Sequence, residues 1–253
     1  MKEHLLNVVT NNQPQYIVFG VLSLVVLGLT ATLSLSRVTF SQPYQGSIRV
    51  NPAGFLQPFF GSIDPLLAVA VIAVIGVVSL GFLQSHGWFE IFTMRGTLRG
   101  MAVSAFIATL FGIEVVIAES TNIFRLPADI NVRLPWSLMF YPVMGYVVEV
   151  VFHMLPLTVL LMVLGPLSKK LNMPGLIWLC ILAVSLLEPI FQVGSGQPLS
   201  FAQVYIGLHI FAINILQLYV FQRYDFVSMY SFRLVYYMYW HIIWGALRLQ
   251  WLF

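Results

Sequence analysis

Seven stretches of the chain stay apolar long enough to matter: 16–36, 65–84, 99–118, 136–166, 174–193, 200–222 and 226–247. Roughly 20 apolar residues of helix cross a hydrocarbon core of about 30 Å, so the pattern predicts a bundle of spanning helices. A membrane barrel would instead show segments of about ten residues alternating apolar and polar. The fourth stretch is too long for one straight crossing and carries Pro142, Pro156 and Pro166. Each proline removes a backbone donor, which predicts a kink or an extra re-entrant piece there and a total of seven to eight spans. Residues 37–64, rich in Pro, Gly, Ser, Gln and aromatics, read as a loop at headgroup level, and residues 86–98 as an interfacial helix or turn.

Composition agrees with that pattern. Hydrophobic residues make up 59% of the 253 and charged residues 8%, with a mean hydropathy of +0.89. A soluble domain has roughly 25% charged residues, so this chain lacks the ionisable surface to coat itself against water. Twelve Lys and Arg against nine Asp and Glu give +3, and the basic residues fall in short loops, which excludes a nucleic-acid partner. The single cysteine, Cys180, lies in an apolar stretch, so no intrachain disulfide can form. The segment before the first span has no short apolar core with a small-residue cleavage site, so no removable signal peptide is expected. Counting basic residues by side sets Lys2, Arg95, Arg99, Lys169, Lys170 and Arg223 against Arg37, Arg49, Arg125, Arg133 and Arg248. That excess of one leans to a cytoplasmic N-terminus, in a plasma (inner) membrane. With no internal repeat or second soluble domain, residues 1–253 read as one integral membrane domain in contact with the lipid bilayer.

The informative residues are then the polar ones at membrane depth, where an ionisable group costs about 2.5–3.5 kcal/mol. In YPVMGYVVEVVFHMLPL, Tyr146, Glu149 and His153 recur at spacings of three and four and share one helical face. SLLEPIFQV places Glu188 and Gln192 four apart, with Pro189 freeing a carbonyl one turn back. In SFRLVYYMYWHIIWG, Arg233, Tyr237, His241 and Gly245 form a stripe. His209 and Asn214 are five apart and do not share a face. Glu114, Glu119, Asp64, Asp225, His86 and Glu90 read as interfacial or loop groups, and His209 as a hydrogen-bonded structural histidine.

Two readings of the stripes stand side by side. In the structural one, Arg233 neutralises Glu149 or Glu188 and the polar core fixes helix register. In the functional one, the stripes surround water: a desolvated carboxylate acts as general base while His and amide groups stabilise an oxyanion. Glu149, His153, Glu188 and His241 are also candidate ligands for zinc or iron, although the HExxH pattern is absent. Intramembrane histidines could in principle hold a haem, but no spacing selects it.

The order of the stripes resembles the CPBP (CAAX protease and bacteriocin-processing enzyme, or ABI) family of intramembrane proteases. Members carry EExxxR in one span, FxxxH in the next and HxxxN or HxxxD in a late span. Here VEVVFH (148–153), EPIFQ (188–192) and HIIWG (241–245) occupy those places, and FQRYDF followed by an aromatic helix is similar to the last two helices of the family. The resemblance covers roughly 136–247, leaving 16–135 as N-terminal spans and interfacial loops. It implies a CPBP-like all-helical core and hydrolysis of a peptide bond in a membrane-associated protein or peptide. Glu149 would be the favoured base and Glu188 its rival, with His153, Gln192 and His241 assisting and Tyr146, Arg233 and Tyr237 in support. The glutamate mechanism requires no cofactor and leaves room for a divalent metal. Val148 stands where the first glutamate is expected, His153 for the arginine, Gln192 for the histidine and Gly245 for the asparagine. The same bundle without catalysis, as scaffold, immunity factor or partner subunit of a membrane complex, fits those departures too.

Overall fold

The computed structural model describes residues 2–35, 63–126, 131, 132, 134–166, 172–193 and 200–253, with side chains from Pro14 onward. Arg37, Arg49, Arg133, Lys169, Lys170 and most of the 37–64 loop lie outside the described residues. The described chain is all-helical. It comprises α1 (Lys2–Leu35), α2 (Pro65–Ser85), α3 (Met94–Ser120), α4 (Ser137–Leu164), α5 (Met173–Val193), α6 (Phe201–Arg223) and α7 (226–251). Six of these, α1 to α6, contain stretches long and apolar enough to cross a membrane. The seventh has the length, about 40 Å of helix, but Arg233, His241, Arg248 and a run of tyrosines make it less apolar. Outward-facing Leu24, Val74, Val78, Phe106, Ile117 and Ile190 are exposed. An apolar outer surface of this kind is what lipid, not water, solvates.

Local sequence sets where the helices begin. Asp64 accepts from the amides of Leu66 and Leu67 at the start of α2, Asn172 from Gly175 in α5, and Ser200 forms a reciprocal capping box with Gln203 in α6. The long fourth stretch is one continuous helix with no re-entrant piece. Its middle, Glu149–Met154, widens into a π-helix immediately before Pro156. A residue that cannot donate to the carbonyl four back leaves that turn free to bond five back instead, as the Leu155 amide does to Val150. A second π segment, Met238–Trp244, interrupts α7.

α7 is held against α3 along its length. Gly100, Ser104, Ala108 and Gly112 recur every fourth residue on the buried face of α3, so the backbones approach closely. The Ser104 hydroxyl donates to the Ser228 carbonyl at 2.8 Å. A Cβ on Gly112 would fall 2.6 Å from the Cβ of Tyr239.

Both ends of this seam are pinned by buried charge. At one end Asp225, in the short turn after Arg223 as expected, is fully buried. It caps α7 through the Ser228 amide at 2.8 Å and receives the Thr93 amide at 3.2 Å and the Thr97 hydroxyl. At the other end Glu119, also read as interfacial, is buried against Arg248, and Trp244 donates to it at 2.7 Å. Arg248 further donates to the Leu126 carbonyl, tying the segment after α3 to the end of α7. These two acids lie near span ends, where spacing alone reads them as interfacial; their partners come from segments far away in sequence.

Gly112→Leu is expected to lower the stability of the detergent-solubilised protein by about 1–3 kcal/mol through overpacking. Gly28→Leu, whose Cβ meets nothing within 4 Å, should not lower it. Thermal unfolding of the two variants beside the parent checks this.

Candidate functional site

Three helices deliver the charged groups to one place. The π segment of α4 presents Glu149 and His153, the second half of α5 presents Glu188, and α7 presents Arg233. Arg233 Nε donates to Glu149 Oε1 at 2.9 Å, while Nη1 and Nη2 donate to the two oxygens of Glu188 at 3.1 and 3.0 Å. The planar guanidinium forms a bidentate fork to one carboxylate and a side-on bond to the other. His153 Nδ1 lies 2.6 Å from Glu149 Oε2, and Gln217 of α6 donates to Glu149 Oε1 at 2.7 Å. Gln192 donates to Glu188 Oε1 at 3.0 Å. Arg233 and Glu188 are each only 3% exposed, and Glu149 and His153 are fully buried. This is a buried ion-pair network in which each of the four carboxylate oxygens has at least one hydrogen-bond partner.

Pro189 contributes through what it lacks. Without an amide N–H it leaves the Ser185 carbonyl free, and α5 breaks at Leu186, between Met173–Ser185 and Leu187–Val193. The Asn214 amide of α6 takes up that carbonyl at 3.3 Å, and its oxygen meets Arg233 Nη2 at 3.5 Å. The helix break thus supplies a docking point for α6 beside the ion pair.

Next to the network is a partly open cavity of about 140 Å³. Glu188, Gln192, Arg233, Tyr237 and His241 border it; Glu149 and His153 do not. Tyr146 stands apart from the cavity, hydrogen-bonded to Ser23 of α1 at 2.7 Å. The predicted site residues therefore divide. Glu149, His153, Glu188 and Arg233 join in the network, and Gln192 and His241 face the cavity beside the outer side of Glu188 and Arg233.

His241 has a partner that helical spacing could not supply. Its Nδ1 lies 2.7 Å from Asn131 Oδ1, and its ring stacks on Tyr141 at 4.4 Å between centroids. Gly245 makes room for this: a Cβ there would fall 3.0 Å from the Asn131 side chain. With Nδ1 donating to the amide oxygen, Nε2 carries the lone pair. Further along the wall, His209 lies 2.9 Å from the Tyr236 hydroxyl through Nε2 and 2.8 Å from Glu114 Oε2 through Nδ1.

Sequence reasoning missed Gln217, Asn131 and Tyr236 as parts of the site. Gln217 had a signal, since Asn214 and Gln217 are three apart and share a face of α6. Asn131 had none, because it lies in a loop and reaches His241 only through tertiary folding. Among the described residues, no set of three or more His, Cys, Asp or Glu side chains is arranged to hold a metal ion. Of the four candidate ligands, Glu149 and Glu188 have their oxygens hydrogen-bonded by Arg233, His153 and the two glutamines. Comparison of the chain with protein-family models, curated proteins and solved structures finds no match.

Arg233→Met would leave two buried carboxylates without their cation, an expected loss of about 3–5 kcal/mol. Adding Glu149→Gln and Glu188→Gln to that variant removes the uncompensated charge and should recover most of the loss. Thermal unfolding of the single and triple variants in the same detergent reads both outcomes.

Proposed function

We propose that this chain is an integral membrane protein that binds rather than hydrolyses: a bundle with a CPBP-like core that serves as a scaffold or partner subunit. Its cavity receives a group presented from the membrane. The observation that carries this reading is the engagement of Glu149 and Glu188 by Arg233. A general base must have a lone pair within reach of water; Glu149 is fully buried and every oxygen of Glu149 and Glu188 already has a hydrogen-bond partner. Val148, where the resemblance expects the first glutamate, supplies no replacement.

A second reading, intramembrane peptide-bond hydrolysis, is favoured by one contact. The resemblance expects an amide four residues after the late histidine. Gly245 leaves that space empty, and Asn131 fills it from another segment to hold His241. In that reading His241 Nε2 would take the proton from water, with Gln192 donating to the developing oxyanion and Glu188 fixing the geometry from across the cavity.

Turnover separates the two. The purified full-length chain in nanodiscs is incubated with membrane-tethered peptides, with and without divalent metal, beside Glu149→Gln, Glu188→Gln and His241→Ala. The binding reading expects no cleavage by the parent above the level of the variants. Cleavage that His241→Ala or Glu188→Gln abolishes would overturn it in favour of the hydrolase.

A further inference from the structure

α3 begins with two arginines on one face, Arg95 and Arg99. Both are exposed and sit one turn apart, with about 5–6 Å between their Cβ atoms. Among the described residues neither has a hydrogen-bond or ion-pair partner. The same face continues through Ala102, Phe106, Leu110 and Ile113 at steps of three and four, and all four are exposed. It lies opposite Gly100, Ser104, Ala108 and Gly112, the face packed on α7, and is therefore turned to lipid. From Arg99 to Leu110 is about 16 Å of helix, close to half of a hydrocarbon core about 30 Å thick.

The acids at this end of the bundle are committed elsewhere. The turn after α6 is tied to the segment before α3, with the Phe226 amide donating to the Glu90 carbonyl at 3.1 Å and the Thr93 amide to Asp225 at 3.2 Å. Asp225 is fully buried among Thr93, Thr97 and Ser228, and the Glu90 carboxylate accepts from Gln15 at 2.7 Å. A third guanidinium at the same end, that of Arg223, is exposed and lies 5.8 Å from the centre of the Tyr224 ring. Tyr224 in turn packs on α3, where a Cβ on Gly100 would fall 2.8 Å from its Cβ. At the other end of α3 the basic groups have protein partners: Arg248 pairs with Glu119, and Arg125 lies 5.9 Å from the centre of the Phe253 ring. Arginine keeps its charge at any pH the membrane meets, so the positive character of Arg95 and Arg99 does not turn on a titration.

We propose that this face of α3 docks an anionic phospholipid, its phosphate on Arg95 and Arg99 and one acyl chain laid along Ala102, Phe106 and Leu110. Planar guanidinium forks match the non-bridging oxygens of a phosphate, and near a helix end such side chains reach the headgroup level. The apolar stripe below them is as deep as one leaflet, so a single helix face meets both parts of the lipid. A headgroup that carries its own cation, as in phosphatidylcholine, presents the same phosphate without net charge and binds less tightly. The face shares no residue with the cavity, and the proposal does not rest on the binding reading above.

The test is native mass spectrometry of the full detergent-solubilised chain with an equimolar mixture of phosphatidylglycerol and phosphatidylcholine of matched acyl chains. Preferential retention of phosphatidylglycerol is expected. Arg95→Gln combined with Arg99→Gln should weaken that binding about fivefold for each arginine removed, whereas Arg95→Lys with Arg99→Lys, which keeps the charge, should stay within about threefold. Neither arginine has a partner among the described residues, so thermal unfolding without lipid should match the parent in both variants. Arg125→Gln, at the far end of α3, should leave the preference unchanged. Equal retention of the two lipids would overturn the proposal. So would phosphatidylglycerol binding that survives the double glutamine variant, or that Arg125→Gln lowers as much. Displacement of the lipid by millimolar glycerol phosphate would also overturn it, because that would mark a site for soluble phosphate rather than for a lipid.

Discussion

Arg233 is the residue on which the arrangement of α4, α5 and α7 depends. A lone guanidinium in the hydrocarbon region is costly, and so is a lone carboxylate. Each becomes tolerable only when the others are at hydrogen-bond distance, so the three helices have one mutual register in which all three charges are satisfied. In lipid, apolar helix faces give little preference for one neighbour over another, and polar contacts of this kind supply the specificity. The bidentate fork to Glu188 and the side-on bond to Glu149 are directional. They fix rotation about each helix axis as well as the spacing between axes.

The neighbouring features follow from that constraint. The π segment of α4 places Glu149 and His153 toward the network, at a point where Pro156 has already weakened the ordinary ladder. The broken α5 turns Glu188 inward and leaves a carbonyl that Asn214 occupies. Local departures from regular helix thus occur where charge has to be aimed, and the cavity lies beside them, lined by residues of α5, α6 and α7. Both carboxylates take part in holding the bundle together.

Much of this was legible in the chain. The spacing of Tyr146, Glu149 and His153, of Glu188 and Gln192, and of Arg233, Tyr237 and His241 identified the faces that turn inward, because an ionisable residue in an apolar run has few other places to go. The freed carbonyl behind Pro189 was likewise readable, since it follows from covalent structure. What spacing could not give was who pairs with whom. Asn131 reaches His241 from a loop, Arg248 finds Glu119 from the far end of the chain, and Asp225 draws on Thr93 and Thr97. The burial of Glu119 and Asp225 was not readable, because a helix-end acid looks the same whether it faces headgroups or a partner more than a hundred residues away. The two π segments were also hidden, since a one-residue widening leaves the apolar pattern almost unchanged.

The glycine-lined seam between α3 and α7 has a mechanical consequence. Small residues at every fourth position, with a buried acid clamped at each end, make that pair a stiff spar running the depth of the bundle. One wall of the cavity is built on this spar and has little room to yield. The opposite wall is jointed instead: α5 is interrupted at Leu186, and a single hydrogen bond from the Asn214 amide ties α6 to the carbonyl exposed at that break.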